Sequence, residues 1–241
     1  MCTTKRFLTA IFAILLASQP LSAQQSSSKL KSKVQDEIAR YYEQSIGVSI
    51  AEPGIVMLKG SVKSYWDKLN LWAIVSKVPS VHQIKNDIVV DTQAVPDNII
   101  TSEIRHYLDL NKAIEDPKKI EITADNGLVF LRGEVNSIRE SEIVEDIAAW
   151  HKGVKSIENE LRVLPPKAAM SDANLATILR DMIKRDFPLE KKSIQIEVMN
   201  GVAKITGTVE RLWVVKQVEK EVRRIQGITG VDNQLKIQVI S

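Results

Sequence analysis

From residue 171 onward the apolar positions switch between two periods. Leu175, Ile178, Leu179, Met182 and Ile183 recur at three- and four-residue steps, which places them on one side of a helix, and Ser171 or Asp172 can cap its start. Pro188 lies beyond its end. Ile194, Ile196 and Val198 then alternate with polar residues as a strand does. Asn200-Gly201 tolerates the positive φ of a hairpin turn, and Val202 to Val209 return as a second strand. Val214, Val215, Val218, Val222 and Ile225 restore the helical period, and Val231, Leu235, Ile237 and Val239 form a last strand. The predicted order is αββαβ, an α+β fold with two helices on one face of a three-stranded mixed sheet.

The pattern occurs three times. Gly54 and Gly60 recur as Gly127 and Gly133 and again as Gly201 and Gly207, at steps of 73 and 74 residues. Asn86, Asn159 and Asn233 each fall 26 residues after the second glycine. Apolar positions align with them, among them Val62/Val135/Val209, Leu71/Val144/Val218 and Ile88/Leu161/Leu235. A step this long exceeds that of solenoid repeats and predicts three tandem modules, over 29–91, 97–164 and 171–240. Thr92 to Pro96 and Pro165 to Ala169 read as the linkers. The nine glycine and asparagine positions are read as structural. A glycine inside the second strand implies a bulge or a close backbone approach, and the second helix starts only a few residues later. Ser137 with Glu140 forms a capping box, Ser64 with Asp67 a weaker one, and Arg211 replaces the serine in the third copy. In the first copy Pro53-Gly54 replaces Asn-Gly. Proline cannot take positive φ, so a different turn is expected there, with Ile46, Val48 and Ile50 shifted by one residue.

The N-terminus stands apart from the repeat. Lys5 and Arg6 precede an uncharged run from Phe7 to Ala17, Pro20 breaks it, and Leu21-Ser22-Ala23 offers small residues before Gln24. A run of eleven residues is too short to span a bilayer, so 1–23 reads as a signal peptide cleaved on export. Cys2 leaves with it, and disulfides cannot stabilise what remains. Each module must therefore carry its own core, mainly aliphatic given 5% aromatic residues. The remaining chain has 31 basic and 30 acidic residues, a balance that argues against nucleic acid as a partner.

Gly127-Leu128-Val129 through Gly133, followed by Gly153-Val154-Lys155-Ser156-Ile157-Glu158-Asn159, resembles the BON domain, named for bacterial OsmY and nodulation proteins. Gly227-Ile228 with Val231-Asp232-Asn233 matches in the third copy. Pro79-Ser80-Val81 matches less closely, lacking the glycine. The resemblance covers nearly all of the chain after the signal peptide. It implies a periplasmic envelope role in osmotic stress without catalysis, through anionic phospholipid or, in OsmY-like members, as an ATP-independent chaperone of outer-membrane clients. It supplies no catalytic or ligand residue.

Direct inspection finds no enzyme chemistry either. His82, His106 and His151 have no second ligand at metal-binding spacing, no phosphate loop or nucleophile elbow is present, and no cofactor is expected. Glu115-Asp116 and Glu190 fall in predicted loops and read as solvated. Charge is unevenly divided, however. The first module carries +2, the second −5 and the third +3. On the second helix of the third module, Trp213, Lys216, Lys220, Arg223 and Arg224 lie away from the apolar stripe. That composition suits an anionic lipid surface or an acidic partner, bound peripherally, although the same residues also suit a solvated face with Trp213 packed inward. Trp66, Trp72, Trp150 and Trp213 all align with charged residues in another copy, which places them at a rim, touching either a ligand or a neighbouring module.

Overall fold

The computed structural model describes residues 21–43, 46–164, 170–190 and 192–238. Each module has the expected αββαβ order. The first comprises α1 (Leu21–Ala39), β1 (Gly47–Glu52), β2 (Ile55–Val62), α2 (Tyr65–Ser76) and β3 (Gln83–Val90). The second comprises α3 (Asp97–Leu110), β4 (Ile120–Asp125), β5 (Leu128–Val135), α4 (Ile138–Trp150) and β6 (Ser156–Val163). The third comprises α5 (Asp172–Asp186), β7 (Ile194–Met199), β8 (Val202–Val209), α6 (Leu212–Arg223) and β9 (Gly230–Ile237). Every sheet runs hairpin first, antiparallel, and then parallel between its second and third strands, as a helical crossover requires. Most of the expected signal peptide, the second linker and Val239 lie outside the described residues; α1 runs back through Leu21.

The local chemistry explains the differences between copies. Asn126-Gly127 and Asn200-Gly201 turn their hairpins with all four φ values positive. Asp97 and Asp172, each the first residue of its helix, accept backbone N–H bonds from both turn residues, at 2.8 and 3.0 Å in each copy. Asp172 is thus taken by the turn, and Ser171 caps α5. In the first module Pro53 precedes Gly54, and β1 carries a bulge between Ile50 and Glu52 that absorbs the extra residue. Val48 still meets Leu58, as Ile122 meets Leu131 and Ile196 meets Ile205.

The glycine inside the second strand answers to a different neighbour from the one expected. A Cβ on Gly133 would lie 2.0 Å from the Lys119 carbonyl oxygen, so the partner strand, not the second helix, comes too close. The asparagines tie strand to helix. Asn86 donates to the Lys68 carbonyl, Asn233 to the Val215 carbonyl, and Asn159 to the Ser141 hydroxyl in the same slot. Each Asn oxygen also accepts the N–H two residues on.

Three aliphatic cores result, around Leu58 and Leu71, Ile104 and Leu131, and Leu179 and Ile205. Phe187 is the one buried aromatic among the described residues. The cores are not closed off from one another. Ile138, the first residue of α4, is buried in the third core. Leu212, in the same slot of α6, packs on the first, and Tyr65, in that slot of α2, packs on both the first and the second. Each module therefore inserts a residue into the next, and the third returns to the first. This is a head-to-tail contact that closes within one chain.

Candidate interaction surface

The surface singled out by charge lies on α6. Its inner stripe, Val214, Val218 and Val222, is buried in the third core, and at 3.6 residues per turn the cations fall on the other side. Arg211 gives α6 no side-chain cap, whereas Ser64 and Ser137 accept the N–H of Asp67 and Glu140 at the starts of α2 and α4.

Closure of the three modules brings α2, α4 and α6 together, and this decides what the cations meet. Lys216 Nζ lies 5.9 Å from the ring centre of Trp72 on α2. Arg223 pairs with Glu219 on its own helix at 2.7 Å and reaches Glu142 on α4 at 3.9 Å. Lys220 is near enough to Glu142 and Asp146 to favour their charged forms. Arg224 pairs with Glu221 at 3.2 Å. Trp213 packs on the third core beneath Arg211. Of the five residues, Lys216, Lys220 and Arg223 thus face a neighbouring module, while Trp213 covers its own core.

The acidic second module and the basic third module are complementary to each other at this junction. Burial pushes the carboxyls of Glu142 and Asp146 above the usual range, and the α6 cations oppose it. Burial also raises Glu219, but Arg223, Lys216 and Asn233 together hold it below its ordinary value. Lys216 and Arg224 nevertheless keep 61% and 50% of their side chains exposed. The helix is partly neutralised from within and partly open to a partner.

Trp66, Trp72 and Trp150 serve contacts between modules as well. Trp66 on α2 stacks on Trp150 on α4, with ring centres 4.4 Å apart. Beside them the Tyr65 hydroxyl is pushed up by burial and by Glu145, opposed by a backbone hydrogen bond from Ile157. Trp150 and Tyr107 remain exposed in an open groove of about 900 Å³ that also holds His106 and His151. His106 and His151 both contact the Tyr107 ring edge-on, although nothing in their spacing pairs them. Among the described residues no group of three or more His, Cys, Asp or Glu could hold a metal. Glu115 is not merely solvated, since it accepts a bond from Asn136 at 2.9 Å.

Sequence reasoning missed Tyr65, Ile138 and Leu212. The available signal was an apolar residue at the first helical position in every copy, set off from the stripe that faces its own sheet.

Comparison with known proteins gives three matches to the BON domain, over residues 26–92, 96–165 and 171–239. The chain is 23% identical over 145 residues to Osmotically-inducible protein Y of Escherichia coli, covering 58% of this chain and 72% of that one. It is 20% identical over 146 residues to the 21 kDa hemolysin of Actinobacillus pleuropneumoniae, covering 59% and 73%. Among solved structures, the C-terminal domain of CdsD from Chlamydia trachomatis matches at 16% identity and a TM-score of 0.26, covering 87% and 98%. The PrgH periplasmic domain matches at 12% and 0.23, covering 85% and 99%. Scores this low carry no inference about this chain.

Proposed function

Because the chain belongs to the BON domain family, we propose that it is a non-enzymatic periplasmic protein of the cell envelope, acting under osmotic or envelope stress, that attaches peripherally to anionic phospholipid surfaces or envelope proteins. The observation that carries this reading is the residual exposure of Lys216, Lys220 and Arg224 on α6 after the internal ion pairs are made. No helix among the described residues is long and apolar enough to cross a membrane. Attachment by surface cations needs none.

Liposome co-sedimentation tests the reading, and the structure fixes the variants. Reversing Lys220 would set a third carboxylate beside Glu142 and Asp146 and strain the contact between α4 and α6. Neutralisation is cleaner. Lys216→Gln, Lys220→Gln and Arg224→Gln together should weaken binding to anionic vesicles roughly tenfold or more, at about 1 kcal/mol per residue less what the internal pairs already consume. Raised salt should weaken the wild type in the same direction. Unchanged binding by a folded triple variant would remove α6 from the account.

A chaperone of outer-membrane clients is the second reading, favoured by Trp150 at 62% and Tyr107 at 55% exposure in one groove. Client holding through that groove should resist salt and should fall on Trp150→Ala.

A further inference from the structure

The three junctions between modules present equivalent slots, and one of them sets two cations together, of which one has no ion pair among the described residues. At the first junction the slots hold Trp66 and Trp150, which stack. At the junction that closes the third module on the first they hold Trp213 and Lys77, where the cation over the Trp213 ring is Arg211 of its own module, at 5.6 Å. At the second they hold Arg139 and Arg224. Both line one groove of about 530 Å³ between the second and third modules, together with Arg223. Like charges in opposed slots repel unless an anion lies between them.

The groove's carboxylates do not fill that place. Glu140 is buried and accepts the backbone N–H of Asn136 at 2.8 Å and of Glu115 at 3.4 Å. Glu115 is bonded to the Asn136 side chain at 2.9 Å. Arg223 is held by Glu219 and Arg224 by Glu221. Arg139 is exposed and makes no ion pair with any described residue. The remaining wall is formed by Ser137 at the start of α4 and by the chain from Gly227 to Thr229. The volume lies within the range of small-ligand sites.

We propose that this groove binds a phosphate group, with Arg139 and Arg224 as the cations that close on it, carried by a phospholipid headgroup or a soluble phosphate ester. Only the lipid source rests on the attachment reading above. A guanidinium suits the task because it meets two phosphate oxygens at once.

Two probes separate the sources, glycerol phosphate in solution and phosphatidylcholine vesicles with or without phosphatidylglycerol. Wild type should bind glycerol phosphate, with chemical-shift changes centred on Arg139 and Arg224, and should bind only the anionic vesicles. Arg139→Gln should weaken both about fivefold. Arg139→Trp restores the residue that the slot carries in the other modules, so it should abolish phosphate binding while thermal stability holds or rises. That split distinguishes a ligand contact from a packing contact. Glycerol phosphate binding that needs Arg139, without vesicle binding, would keep the groove and remove lipid as its source. Glycerol phosphate and vesicle binding both indifferent to the two Arg139 variants would overturn the groove and leave attachment to α6. Failure to bind either probe would overturn it outright.

Discussion

Ile138→Ala separates a closed three-module body from modules that fold alone. Ile138 opens α4 in the second module, yet it is 3% exposed and sits in the third core. Truncating a buried isoleucine costs about 2–5 kcal/mol, and at a contact between modules the lower part of that range, about 2–3 kcal/mol, is expected. Alanine is a better helix former and Ser137 still caps, so α4 itself should persist. Native-state hydrogen exchange reads where the loss falls. At 1.4 kcal/mol per tenfold, amides of α5, β7 and β8 in the third module should exchange about 30-fold faster or more, with a smaller change in β4 and β5. Acceleration confined to β4 and β5, or none at all, would refute the reasoning.

Gly133→Val should destabilise the protein by more than about 3 kcal/mol, because the new Cβ meets the Lys119 carbonyl and φ is +114°; urea denaturation measures it, and a loss under 1 kcal/mol would contradict the close approach. Acid should act on the junction in two opposite ways. The raised pKa values of Glu142 and Asp146 mean that protonation stabilises the folded form, so their contribution is full in acid and lost as pH rises through those values. Glu142→Gln should therefore raise the melting temperature at neutral pH, with the gain vanishing in acid. Glu219 is held below its ordinary value, so its contribution is present above the usual carboxylate range and lost as pH falls. Glu219→Gln should lower the neutral melting temperature, and thermal scans across pH would show either sign reversed if the pairings are wrong.

The module itself was legible in sequence because its signals are local. Val202 to Val209 form β8 as expected, Asn-Gly turns two hairpins, and the serine caps fall where their spacing put them. Even the Pro53-Gly54 departure showed as a shift in alternation. What closes the chain was not legible, since Ile138 and Leu212 pack on cores built by other modules and their apolar character fits an ordinary helix start. The basic face of α6 was visible as composition, but its acidic complement on α4 belongs to another copy. Periodicity within one helix cannot show which helix faces it. Ser80 shows the converse. It keeps the positive φ of Gly153 and Gly227 without the glycine, because the surrounding turn imposes it.

Small-angle X-ray scattering tests most directly whether the three BON modules close on one another. A single compact body of the 218 residues that follow the expected signal peptide has a radius of gyration of about 17 Å, whereas three modules strung on linkers would give roughly 25 Å. The closed body should give the smaller value, rising toward the larger when Ile138 and Leu212 are both replaced by aspartate. A wild-type value already near that of separated modules would contradict it.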